Sequence, residues 1–326
     1  MNKTKLLQVI LVVSTLSACV SNGGSSSSSL KPVAKSGSST GMAAVKKDKQ
    51  LVMPVFRINF MKKFDAHARQ KSGSWTSNAS VSSHAFVETK GFDEAVFQQI
   101  TDAAYEDLYK RLNDKNLNVM SLEQAKNQSN TLAKQSATQK FPEIDDDESS
   151  YLAINTMYPS GFTSTSGGKL TKAPDEVFKE LKAGVIAVTY TVDFVASKAE
   201  TDRVSGWSSE QMSASVEINP AASVNGLIQF FGYAEGGCAP IGGCYGPKSE
   251  ARMTQRAISP IQFGKIENVT STAFKVVEGA VNLLGMFAGS STSSAESYEL
   301  NVDEKAMVEA VTDALKKANQ QLVTQL

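Results

Sequence analysis

Apolar residues first concentrate at Leu51, Val52, Val55, Phe56, Ile58 and Phe60. The run is apolar on both faces, which predicts a strand over residues 51–60 covered on both sides. Pro54 interrupts it and cannot donate a ladder hydrogen bond, so an edge position or an early bulge is expected there. Residues 61–90 turn polar and serine-rich, predicting a long loop with extended structure only over 81–89. The period then becomes helical. Phe97, Ile100, Ala104, Leu108 and Leu112 share one face, Asp93 and Glu94 occupy the first turn, and Lys110 and Arg111 the last, predicting a helix over 93–112 that ends at Asn113 and Asn116. Residues 117–120 read as a short strand. Ser121 and Glu123 open a further helix, with the capping residues displaced by one position from the usual box.

Residues 128–168 are polar and include the acidic run Asp145, Asp146, Asp147 and Glu148, which predicts an insertion or loop. Pro174 and Gly184 bracket a short helix over 174–182. Period two follows. Ile186, Val188, Tyr190, Val192 and Phe194 form one strand face, and Met212, Ala214, Val216 and Ile218 form another, opposed by Ser213, Ser215, Glu217 and Asn219. The polar stretch between them, 196–210, reads as a loop carrying Trp207. Residues 227–233 and 251–258 are further strands. Ala273, Val276, Val277, Ala280, Val281, Leu284, Phe287 and Ala288 recur at helical spacing despite Gly279 and Gly285. Asp303 caps a final helix with the stripe Met307, Val308, Val311, Ala314, Leu315, Ala318 and Leu322. No internal repeat is visible. The sum is an α/β (α+β) fold: a mixed sheet flanked by helices, one domain over 51–326 with an insertion around 128–168.

Ahead of that domain the pattern changes in kind. Residues 1–18 have a basic start (Lys3, Lys5), an apolar core from Leu6 to Val13 and small residues before Cys19, the layout of an export signal too short to span a bilayer. Leu16-Ser17-Ala18-Cys19 resembles the lipobox of bacterial lipoproteins. The resemblance implies cleavage before Cys19, a diacylglycerol on its thiol, and firm anchoring by several acyl chains. Val20 stands where aspartate would favour inner-membrane retention, so the expected location is the outer membrane, facing the periplasm. Residues 19–50, with five consecutive serines at Ser25 to Ser29, read as a disordered linker. About 30 such residues span on the order of 30 Å on average and roughly 100 Å when taut.

Composition narrows the function. The 326-residue chain balances 33 basic against 33 acidic groups, and removing the leader leaves 31 against 33. A near-neutral chain lacks the cationic surface that phosphate contacts require, so nucleic acid is not an expected partner. With Cys19 assigned to lipid, Cys238 and Cys244 remain, in a glycine- and proline-rich loop of an exported protein. A small-ring disulfide is expected; a metal site is the rival, but two thiols without a nearby histidine fall short of the usual four ligands. His67 and His84 are the only histidines, and each reads as a surface or loop residue. There is no Gly-x-Ser-x-Gly elbow and no phosphate loop of the Gly-x-x-x-x-Gly-Lys type. The acidic run lacks the spacing of a calcium loop and reads as a solvated turn. No catalytic residue, metal or cofactor is therefore expected, and the chain reads as a non-enzyme. Trp75 and Trp207, in serine- and glycine-rich surroundings, are the candidate partner-binding residues.

The order strand, long helix, short strand, helix, then separated strands and a closing helix resembles the α/β unit of the curli-secretion lipoprotein family and of the N-terminal domain of TolB-like periplasmic proteins. Leu51-Val52-Met53-Pro54-Val55-Phe56 is similar to their opening strand, and Leu181-Lys182-Ala183-Gly184-Val185-Ile186-Ala187-Val188 to their helix-to-strand passage. The insertion around 128–168 departs from the pattern. The resemblance implies a non-catalytic structural, assembly or transport-accessory component of an envelope machine, meeting an envelope protein or further copies of itself. Two other classes are carried beside it. One is an oligomeric secretion pore, for which the alternating run at 212–218 is shorter than the roughly 9–11 residues of a transmembrane strand. The other is a murein- or glycan-cleaving enzyme, whose paired carboxylates are defined only in space.

Overall fold

The computed structural model describes residues 50–72, 80–93, 95–133, 145–146, 154–162, 177, 179–205, 210–233, 245–270 and 292–326. Cys19, Trp75, Trp207, Cys238, Cys244 and the stripe at 273–288 lie outside those residues.

Two sheets and three helices make up the described fold, which is of the α/β class. The larger sheet is built on β1 (Leu51–Met61). On one side β1 pairs parallel with β7 (Gly184–Ser205); on the other it pairs antiparallel with β6 (Ile154–Met157) and, at its start, parallel with β4 (Val119–Met120). β8 (Glu210–Tyr233) continues outward from β7, and both β9 (Tyr245–Arg252) and β10 (Ala257–Ile258) pair with β8. At the far side β5 (Asp145–Asp146) pairs with β6. β1 is thus central, and the register shift between Val52 and Val55 places the expected irregularity at Pro54 as a bulge.

Both faces of β1 are covered, which is why its apolar residues do not alternate. Leu51, Met53, Phe56, Ile58 and Phe60 join the main core beneath α1 (Ala95–Asp114) and α3 (Glu304–Thr324), which pack on each other. Val52 faces a smaller cluster with Met120, Ala125, Leu132, Val177, Leu181 and Val185. α2 (Leu122–Gln128) supplies Ala125 to it. Its cap differs from the sequence expectation. Ser121 and Gln124 close a capping box in the usual register, Ser121 Oγ accepting from Gln124 N–H and Gln124 Oε1 from Ser121 N–H. Asp303 caps α3 as expected, accepting from Ala306 N–H at 2.9 Å.

Strands run through three regions expected as loops; in the first, the extended structure expected over 81–89 is present and a second strand joins it. β2 (Lys63–Lys71) and β3 (Ser80–Lys90) form a hairpin in a second, four-stranded sheet ordered β11 (Gly264–Asn268), β12 (Thr292–Val302), β3, β2. Their inward residues are small, chiefly Ala66, Ala68 and Ala85 with Val87, so the apolar alternation is faint in sequence although all four are buried. β7 runs on through residues expected to be a loop. Part of the 128–168 stretch is structural too, since β6 extends the large sheet and Met157, Tyr158 and Phe162 are buried.

A polar network ties the helices to the sheet. Tyr190 Oη donates to Asn319 Oδ1, and Asn319 Nδ2 donates to Ala104 O (3.0 Å) and Asp107 Oδ2 (2.8 Å), the same carboxylate oxygen that accepts from Arg111 Nε (2.8 Å). Gly226 of β8 makes room for this. A Cβ there would lie 2.6 Å from Tyr190 Cδ1 and Cε1.

Candidate interaction surface

β7 and β8 are 22 and 24 residues long, several times the usual strand. The large sheet does not follow them to the end. Pairing with β1 stops at Asp193, and β9 and β10 meet β8 no earlier than Ser223. Residues 195–205 and 210–220 therefore pair only with each other among the described strands, as a two-stranded ribbon of eleven residues per arm. At about 3.3 Å per residue the ribbon is roughly 35 Å long. Both of its edges carry backbone groups with no neighbouring described strand.

The base of the ribbon is heavily fixed. A bulge between Asp193 and Val195 marks the departure from the sheet. Phe194 stacks among Phe60, Phe92 and Phe97, with the edge of Phe263 against it. Asp193 is buried and paired with the Arg256 guanidinium, which also donates to Ser223 Oγ at 3.1 Å. Burial pushes the Asp193 carboxyl above its ordinary range, while Arg256 pulls in the opposite direction.

Along the ribbon the two faces differ. Met212, Ala214, Val216 and Ile218 are half-buried, and Ile218 packs against the main core; β2 touches β7 and β8, and β3 touches β8. Ser213, Ser215, Glu217 and Asn219, with Lys198, Glu200 and Asp202 across from them, are exposed. The β8 arm thus alternates, while Ser197 and Thr201, across from Ile218 and Ala214, are exposed, and the face of Lys198, Glu200 and Glu217 carries both signs of charge.

Other edges are treated differently. At β10, the outermost strand on that side of the large sheet, Lys317 donates to the Ile258 carbonyl at 3.2 Å while held by Asp313 at 2.8 Å, occupying an acceptor that an incoming strand would need. The ribbon has no such blocking lysine bond among the described residues. It is the part of the fold best suited to strand addition by another chain.

Of the residues singled out from sequence, the structure brings together the two histidines. His67 of β2 and His84 of β3 are direct cross-strand partners, with ring centres 5.4 Å apart and planes 17° from parallel, on the solvent face of the small sheet. Phe86 continues the stack, 6.1 Å from His84, and Asp65 Oδ1 lies 3.8 Å from His84 Nδ1. The sequence pattern does not show the pair because extended structure is expected only around His84, and the stretch holding His67 reads as loop. The alternation of Phe64, Ala66 and Ala68 against Asp65, His67 and Arg69 was the available signal. Among the described residues no group of three or more His, Cys, Asp or Glu is arranged to hold a metal ion, and no helix is long and apolar enough to cross a membrane.

Fold and surface together define an α/β protein with a long β-ribbon whose edges pair with no other described strand. No protein-family model, curated protein or solved structure matches the chain.

Proposed function

We propose that the chain is an outer-membrane lipoprotein, anchored through Cys19 and facing the periplasm, that acts without catalysis as a structural or assembly component of an envelope machine. The observation that supports this reading best is the ribbon: eleven residues per arm, held at its base by the Asp193–Arg256 pair, with edges that pair with no other described strand. The serine-rich stretch over 19–50, read from its composition as a linker, would let that ribbon reach a partner while the acyl chains hold its position. Affinity would come from main-chain hydrogen bonds, with the alternating side chains setting specificity. Trp75 and Trp207 remain the candidate side-chain contacts, and a disulfide between Cys238 and Cys244 would shape the loop that holds them.

The anchoring half of the proposal is tested by Cys19→Ser, which should move the protein from the membrane fraction to the soluble periplasm. Continued membrane retention would count against lipid attachment. The partner half is tested by exposing a ribbon-bearing protein to envelope extracts and asking for one defined partner or a closed ring. Recovery of monomer alone, together with release of sugars from murein, would favour the enzyme class.

One observation favours the pore as a second reading. The ribbon arms reach the roughly 9–11 residues that a transmembrane strand requires, which the alternating run at 212–218 alone does not. In such a pore Met212, Ala214, Val216 and Ile218 would have to face lipid, because the opposite face carries Lys198, Glu200 and Glu217. Stepwise conductance in planar bilayers would support it; electrically silent bilayers at protein levels that give membrane association would exclude it.

A further inference from the structure

We propose that His67 and His84 form a cross-strand site for a divalent first-row transition ion, with copper(II) the tightest-bound. The backbone sets up the pair. Thr89 N–H donates to Lys62 O at 2.9 Å, so 62 and 89 are a hydrogen-bonded pair of the β2–β3 ladder. Hydrogen-bonded and non-hydrogen-bonded pairs alternate, and five steps along the register place 67 and 84 at a non-hydrogen-bonded position, where facing side chains are closest.

The separation of the rings fits one shared ion. A metal–nitrogen bond of about 2.0–2.1 Å plus about 1.1 Å to the ring centre puts each centre roughly 3.2 Å from the metal; a tetrahedral angle then sets the two centres roughly 5.2 Å apart, and the cis angle of a tetragonal copper(II) site roughly 4.5 Å. The observed separation is 5.4 Å. Only rotation of the side chains is needed to aim a nitrogen from each ring, and the site faces solvent: His67 is exposed and the His84 side chain is 35% accessible. Asp65 stands on the Nδ1 side of His84, which favours Nε2 as the ligating nitrogen and adds a negative charge beside the ion. Arg69, two residues beyond His67 on the same face, opposes a cation, but its guanidinium is turned to Ser80 Oγ at 3.3 Å. Water would complete the coordination. Two imidazoles with open positions suit copper, nickel and zinc, in the order that places copper first.

The chain has no other histidine, so the assignment can be tested without competing imidazoles. Copper(II) titrated into the full chain should bind at one equivalent, with an electron paramagnetic resonance spectrum showing superhyperfine coupling to two imidazole nitrogens. His67→Gln or His84→Gln should weaken binding at least tenfold and leave one coupled imidazole. Copper should raise the unfolding temperature of the parent protein and not of either variant. Cys238→Ser with Cys244→Ser should leave binding unchanged. One-equivalent binding that survives both histidine changes, binding lost with the cysteines, or a parent spectrum without two coupled imidazoles would overturn the proposal.

Discussion

Gly226→Ala places a single methyl group where the fold has no room for it. The added Cβ would sit 2.6 Å from two carbons of the Tyr190 ring and 3.2 Å from Leu322 Cδ1. Tyr190 is fully buried between β8 and α3, so its ring has no vacant direction in which to retreat. Overpacking of this kind costs about 1–3 kcal/mol. If the ring moves enough to release Asn319, a buried hydroxyl and a buried amide oxygen lose their partners, at about 1–3 kcal/mol more. The gain in strand propensity from glycine to alanine returns only about 0.5–1 kcal/mol. The net expectation is a loss of about 2–4 kcal/mol, which lowers the urea midpoint by roughly 1 M at an unchanged slope. Tyr190→Phe isolates the hydrogen bond and should cost about 1–2 kcal/mol. Tyr190→Leu combined with Gly226→Ala should cost less than the two changes added, because the leucine vacates the colliding atoms. Equilibrium urea unfolding followed by far-ultraviolet circular dichroism measures the parent, the three single variants and the double variant. A Gly226→Ala midpoint within about 0.2 M of the parent, or strict additivity in the double variant, would refute the reasoning.

Arg256→Ala should leave the Asp193 carboxylate buried and unpaired. It should cost about 2–3 kcal/mol in the same assay, below the figure for a fully buried pair because the Arg256 side chain is 30% accessible. Since Asp193 titrates above its ordinary value of 3.8, the folded state holds that proton more tightly than the unfolded chain does. The group's contribution to stability is therefore full below pH 3.8 and is lost as pH rises through the elevated value. Asp193→Asn should flatten that part of the stability-against-pH curve, and an unchanged slope would show that another carboxyl governs it. Asp303→Ala removes the acceptor for Ala306 N–H at the start of α3 and should cost about 1 kcal/mol, read from the urea midpoint.

The parts legible in sequence are those whose inward side chains are large. Leu51 to Phe60 announced the central strand, Phe97 to Leu112 the first long helix, and Asp303 with the Met307 to Leu322 stripe the closing helix. Where burial is achieved with small residues the pattern fades. Ala66, Ala68 and Ala85 are as buried as any leucine, yet set among serines they resemble a loop. Only one arm of the ribbon is legible: the alternation at 212–218 announces it, while the arm after Phe194 does not stand out. Nothing local says that the polar stretch after Phe194 keeps pairing with the strand opposite. The His67–His84 pair depends on hairpin register, which joins residues 17 apart only once β2 and β3 are recognised as strands.

The central claim, an anchored protein that works through the open edges of its ribbon, is most directly tested in the envelope itself. A photo-cross-linking amino acid placed in turn at Thr201 and Ser213, both exposed on the ribbon, is compared with the same group at Glu309, exposed on α3. The account predicts one discrete adduct from the ribbon positions, none from Glu309, and loss of the adduct when Cys19→Ser releases the protein from the membrane. No adduct from the ribbon, or the same adduct from all three positions, would contradict it.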